Sequence, residues 1–214
     1  MSKAPHSENL FLEGPAGRLE ALLDTPADTR IRACAVVLHP HPQHGGTMQN
    51  KVAHTLARAF TSLGFAALRF NFRGTRGSEG SYGGGDGERD DALAAMQWLR
   101  TRVPGRPLWL GGFSFGAAIA IRAAAEDTPA GLVSVAPAVK RFVGGLSRQP
   151  DCPWLVVHGD ADEVVDVDDT VAWVDSLVPG PELLVLPGVD HFFHGRLVDL
   201  REAVTGFVAG HLAN

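Results

Sequence analysis

Strand-length runs that are apolar at nearly every position alternate along this chain with helix-length amphipathic segments. A run without polar alternation must be covered on both faces, and a sheet covered on both faces is built from parallel strands joined by crossover helices. The fold class is therefore α/β, with a mostly parallel sheet and helices on both of its faces. Strands are expected at residues 10–13, 18–23, 34–38, 66–71, 107–111, 131–135, 154–158 and 182–186, about eight in all. The first two alternate in part and read as an antiparallel hairpin. Helices are expected at 51–63, 88–102, 115–125, 167–177 and 196–211, the alanines of the third allowing close approach to the sheet. Two segments read as loops. One is 73–87, with seven glycines in fifteen residues. The other is 136–150, which is too short for a cap domain and so predicts an open site.

At 214 residues the chain fits one domain, 1–214, large enough to bury a core without disulfides or a structural metal. A net charge of −5 argues against a nucleic-acid partner bound by phosphate neutralisation. No apolar run approaches membrane-spanning length, and polar residues scattered through the first nine positions interrupt any signal-peptide core. A cytoplasmic protein without a membrane partner is the expectation. Cys34 and Cys152 have neither zinc-site nor redox-pair spacing and read as two reduced thiols.

The chemistry centres on Gly112-Phe113-Ser114-Phe115-Gly116, which follows the apolar run 107–110 and opens an alanine-rich stretch. A serine at a tight strand-to-helix corner is a candidate nucleophile, and residues two before and two after it crowd each other, so both are glycine. Chance can supply the pattern at this glycine content; the strand before it and the helix after it give it weight. A serine hydroxyl needs a base, and the base needs an acid to fix its tautomer. After the strand at 154–158 comes a loop with Asp160, Asp162, Asp166 and Asp168. After the next strand come Asp190-His191-Phe192-Phe193-His194. Both loops lie at the carboxyl ends of parallel strands, where ligands gather in open α/β sheets.

This order of serine, acid and histidine resembles the α/β-hydrolase superfamily, from about Arg18 to His211. Asn71-Phe72-Arg73-Gly74 is similar to a segment those proteins often carry, and the stretch from His39 to Val52 resembles that of small cap-less bacterial serine hydrolases related to the dienelactone-hydrolase and carboxylesterase groups. The resemblance implies a cofactor-free serine hydrolase acting on small acyl esters or thioesters through Ser114, with His191 as base. Asp162 matches the His-Gly-x-x-Asp-x-x-Val pattern and is the implied acid, Asp160 then being a turn residue that bonds backbone N–H groups. His194 is the competing base, read as solvated or structural. The oxyanion hole needs two backbone N–H groups. Phe115 supplies one. Pro40 and Pro42 have none to give, so the resemblance implies His41 as the other, with Gln43 as the alternative, while Gly45 and Gly46 let the chain pass close to substrate.

His39, His41 and His44 suggest a metal site by density alone. Alternating prolines are expected to hold them extended, no cysteine or acid cluster adjoins them, and His39 reads as a loop brace, so neither a metal nor a cofactor is expected. The glycines at 83–85 and 87 lack the lysine of a phosphate loop and read as a mobile rim of the pocket. Phe113, Phe115, Phe192 and Phe193 suggest apolar surface near the site. Competing readings are a peptidase of the prolyl-oligopeptidase type and a non-catalytic binding protein that keeps the fold.

Overall fold

The computed structural model of the chain describes residues 5–27, 30–144, 146 and 148–212. Strands β1 (His6–Gly14), β2 (Gly17–Thr25) and β3 (Ala33–Leu38) lead into helix α1 (Lys51–Ser62), β4 (Phe65–Phe70), α2 (Asp86–Arg102), β5 (Leu108–Phe113) and α3 (Phe115–Glu126). There follow β6 (Gly131–Val135), the short α4 (Val139–Phe142), β7 (Trp154–Gly159), α5 (Val167–Asp175), β8 (Glu182–Leu186) and α6 (Leu197–His211). They form one eight-stranded sheet in the order β1-β2-β4-β3-β5-β6-β7-β8. β1 and β2 make the expected hairpin, β2 runs antiparallel to β4, and all later pairs are parallel.

Two cores sandwich this sheet, and β3 shows why its sequence is apolar throughout. Cys34, Val36 and Leu38 face the core made with α2, α3 and α5, whereas Ala33, Ala35 and Val37 face the one made with α1 and α6. Successive side chains of a strand point to opposite faces, so every position is buried. α3 lies so close to the sheet that ten of its twelve residues are buried, five of them between Ala117 and Ala124 being alanine. β8 departs from this pattern. Like β1 at the opposite end it is an edge strand, and its five residues are only half-buried or exposed because solvent replaces a ninth neighbour.

The segment expected as a loop at 136–150 contains the four-residue α4, so that expectation needs correcting; its positions 145 and 147 lie outside the described residues, as do the first four of the amino-terminal stretch. α2 begins at Asp86, two residues into the glycine-rich loop, because Glu88 accepts the Gly83 and Gly85 N–H groups at 2.8 Å each and nucleates the turn. The loop is tied down more firmly than a mobile rim would be. Arg73 makes a bidentate pair with the buried Asp91 at 2.7–3.1 Å, and Ser78 Oγ bonds Asn71 O at 2.6 Å.

The chain leaves β3 toward β4 and later returns as β5 on the other side of β3. This reversal opens a crevice at the carboxyl ends of β3 and β5. No described helix is long and apolar enough to cross a membrane.

Candidate active site

Ser114 stands between β5 and α3 with φ 56° and ψ −116°, in the left-handed region that costs a non-glycine residue about 1–3 kcal/mol. Surrounding bonds hold it there. Its N–H donates to Val135 O at 2.8 Å at the end of β6, and its carbonyl accepts from Ala118 and Ala138. A Cβ at Gly112 would overlap the carbonyl of Gly116, as the corner requires. Gly116 is glycine for a different reason than expected: a Cβ there would strike the backbone of Leu38 and His39, so it lets α3 press against the end of β3.

His191 Nε2 lies 3.1 Å from Ser114 Oγ, and its Nδ1 lies 2.6 Å from Asp162 Oδ2. The three residues lie on the loops after β5, β7 and β8, so the sheet brings together side chains 77 and 29 residues apart. Phe113 and Phe192 flank the imidazole with ring centroids at 4.9 and 5.1 Å. Of the aromatic pair after His191, only Phe193 anchors the loop. Phe193 is fully buried with φ 55°, while Phe192 is 48% exposed. Phe113 and Phe115 are likewise buried, so Phe192 is the one of these four phenylalanines that offers surface.

Asp162 is buried at its carboxylate, and burial pushes its pKa up. Hydrogen bonds from His158, His191 and the Val165 N–H, together with the charge of His191, outweigh that and hold the carboxyl well below the usual range. It is therefore ionised at neutral pH and can accept the Nδ1–H of His191. The Nε2 lone pair is then turned toward the Ser114 hydroxyl. Val164 and Val165 N–H groups both reach Asp162 Oδ1 at 2.8 Å.

The alternatives have other partners. Asp160 Oδ1 accepts the Gly188 N–H at 2.6 Å, so it bonds backbone as expected but ties its loop to the one after β8, and Asp166 caps α5 through the Asp168 N–H. His194 is 75% exposed and pairs with Asp190 at 2.7 Å.

His41 sits beside Phe115, ring centroids 4.8 Å apart, at the crevice between β3 and β5. Neither its N–H nor that of Phe115 makes a hydrogen bond among the described residues. The segment around it is not extended. Residues Pro42–His44 form a 3₁₀ turn in which His44 and Gly46 N–H groups both return to His41 O at 3.0 Å. Gly46 is required by this turn rather than by substrate, because a Cβ would collide with Pro40 O and His41 O. The His41 ring accepts the Gln43 N–H at Nδ1, so its proton is on Nε2, 3.1 Å from the Tyr82 hydroxyl. Burial, with the nearby His44 and Arg141, lowers its pKa.

His39 is buried and braces the site, as expected of it. Asn71, Phe72 and Arg73 act with it. Asn71 Oδ1 accepts the Met48 N–H at 2.8 Å, Phe72 donates its N–H to His39 Nε2 at 3.0 Å, and Arg73 binds Asp91. No group of three or more His, Cys, Asp or Glu suited to a metal occurs among the described residues. Both cysteines are free thiols, and burial raises their pKa values to about 11 for Cys34 and about 12 for Cys152. Sequence reasoning missed Tyr82 and His158. The glycine-rich surroundings of Tyr82 gave no sign that it would fold back onto His41, but His158, four residues before Asp162 in the same motif, was legible as a partner.

Residues 30–149, more than half of the chain, match the family model described as serine aminopeptidase, S33. The chain belongs to this family of α/β serine hydrolases. XC6422 from Xanthomonas campestris, an α/β serine hydrolase without a lid, is 42% identical and superposes with a TM-score of 0.92, covering 98% of this chain and 96% of that one. An α/β serine hydrolase homologue from Coxiella burnetii is also 42% identical, with a TM-score of 0.89 over 93% of this chain and 96% of its own. The uncharacterized protein RP471 of Rickettsia prowazekii is 30% identical over 209 residues, 93% of this chain and 87% of that protein. The fold is thus a lid-less α/β hydrolase.

Proposed function

We propose that this serine hydrolase cleaves carboxylic esters or thioesters of small molecules through an acyl-enzyme on Ser114. The observation that carries the reading is the continuous line from Asp162 through His191 to Ser114, at 2.6 and 3.1 Å, with the serine on a strained corner. Ser114 Oγ attacks the carbonyl carbon while its proton passes to His191 Nε2, and Asp162 stabilises the resulting imidazolium. The N–H groups of Phe115 and His41 receive the oxyanion. His191 then protonates the departing alcohol or thiol, leaving the acyl group on Ser114. A water gives its proton to His191 and attacks the ester carbon; collapse releases the acid and returns the proton to Ser114. Each step balances without a cofactor.

Labelling with a fluorophosphonate probe, alongside turnover of p-nitrophenyl esters of graded acyl length, tests the reading. Ser114 is expected to label, and Ser114→Ala to lose both label and turnover. A folded parent that neither labels nor turns over any ester would sink it. The family description favours a second reading, hydrolysis of a peptide amide. Cleavage of aminoacyl amides faster than of esters would select it. The net charge of −5 argues against a nucleic-acid substrate.

A further inference from the structure

We propose that His158 is a positioning residue for the Asp162–His191 pair, donating a hydrogen bond to the same carboxylate oxygen that receives the His191 Nδ1–H. The inference rests on the catalytic reading of Ser114 above and adds a residue that reading does not use. His158 is the penultimate residue of β7, just before Gly159, and is fully buried. Its Nε2 lies 3.2 Å from Asp162 Oδ2 and 3.0 Å from Val165 O. A nitrogen facing two acceptors must carry the proton.

The other ring nitrogen decides between a packing role and a donor role. His158 Nδ1 is buried and has no hydrogen-bond partner among the described residues. Burying a polar atom unpaired costs about 1–3 kcal/mol, so an apolar side chain would fill this place at lower cost if filling were the whole task. What the imidazole adds is the Nε2–H. With it, four N–H groups surround the Asp162 carboxylate: those of Val164 and Val165 on Oδ1, and on Oδ2 that of His191 together with the His158 N–H, which Oδ2 shares with Val165 O. Four donors fix the carboxylate plane, so Oδ2 cannot rotate away from His191. The His158 bond also withdraws electron density from the oxygen on which His191 depends. It thereby limits how strongly Asp162 stabilises the imidazolium.

The titratable groups that face His191 are Ser114 on the corner after β5 and Asp162 on the loop after β7. The packed rings, Phe113 and Phe192, do not titrate, and the Asp190–His194 pair on its own loop is exposed. A shift in His191 basicity on changing His158 is therefore transmitted through Asp162.

The test compares the parent, His158→Leu and His158→Gln; the glutamine amide can place an N–H where Nε2 stands, and leucine cannot. The readouts are kcat, KM and the rate of fluorophosphonate labelling across about pH 5 to 9. In His158→Leu the acid limb is expected to move up by about half to one pH unit, with kcat about tenfold lower and KM nearly unchanged, and His158→Gln is expected to recover most of both. A folded His158→Leu with the parent's limb and kcat overturns the proposal. Equal losses in the two variants also overturn it, since they mark packing alone. Imidazole nitrogen NMR of the parent decides the matter should His158→Leu fail to fold: a slowly exchanging Nε2–H that shifts in Asp162→Asn supports the proposal, and a ring protonated only at Nδ1 overturns it. A parent that does not label Ser114 counts against the proposed function, and the same spectra still report whether His158 donates to Asp162.

Discussion

His39 Nε2 accepts the Phe72 N–H at 3.0 Å and so ties the loop after β3 to the loop after β4 inside the protein. Its Nδ1–H donates to Pro40 O at 2.6 Å, which leaves no position for a second proton. Burial pushes its pKa down from 6.5 to about 4, the Pro40 carbonyl opposing and His41 adding to the shift. The unfolded chain therefore binds a proton that the folded one refuses. Stability from this residue is fully present above pH 6.5 and is lost as the pH falls toward 4, by on the order of 3 kcal/mol. Urea unfolding across that window should show the parent losing more stability than His39→Gln. Asp162 does not confuse the comparison, because a carboxyl with a lowered pKa loses its contribution only below its ordinary value of 3.8.

The backbone role of His41 separates cleanly from its ring. His41 has φ −53°, which proline adopts without strain, so His41→Pro removes the N–H while keeping the local backbone path. His41→Ala removes the ring and its bonds to Gln43 and Tyr82 but keeps the N–H. If the N–H holds the oxyanion, kcat should fall about 10²–10³-fold in His41→Pro and far less in His41→Ala. Steady-state ester hydrolysis by both variants is the measurement, and equal kcat values would remove His41 from the oxyanion hole.

The parts of the molecule that follow from side-chain type were legible in the sequence, and those set by chain closure were less so. β3, β6 and β7 could be read because every residue in them meets one of two cores. Ser114, Asp162 and His191 could be read because their loops follow parallel strands at the same edge. The turn after β3 escaped because its prolines suggested an extended path, whereas Pro42 occupies the first position of a 3₁₀ turn closed onto His41 O. Gly116 was found for the wrong contact: its crowding comes from β3, which is distant in sequence but adjacent to β5 in the sheet. α4 is four residues long, and only one of them, Val139, is buried, so no apolar period announced it.

Asp162→Asn should separate orientation from charge at the acid. The asparagine oxygen can still take the Val164 and Val165 N–H groups at Oδ1, which turns the amide N–H₂ toward His191 and His158. Two donors then face each other, and His191 must accept at Nδ1 and carry its proton on Nε2, against the Ser114 hydroxyl. With the base in the wrong tautomer, kcat should fall by about 10⁴-fold while KM changes little. The labelling rate of Ser114 should fall in parallel, and retention of even a tenth of parental kcat would argue that Asp162 is not the orienting acid.

Gly45 and Gly46 are neighbours with opposite requirements, and exchanging each for alanine should distinguish them. Gly45 has φ 79° with open space where a Cβ would stand, so Gly45→Ala carries only the left-handed backbone penalty of about 1 kcal/mol. Gly46→Ala drives a methyl group into Pro40 O and His41 O, and the Pro40 carbonyl shares one rigid peptide plane with the His41 N–H, so displacing it displaces that N–H. Thermal unfolding should therefore show a small loss for Gly45→Ala with kcat retained. If the His41 N–H holds the oxyanion, Gly46→Ala should lose kcat by more than its loss of stability accounts for, because the displaced peptide carries that N–H. Should both variants keep parental kcat, the turn would be shown to tolerate the displacement, and the N–H of His41 would have no part in holding the oxyanion.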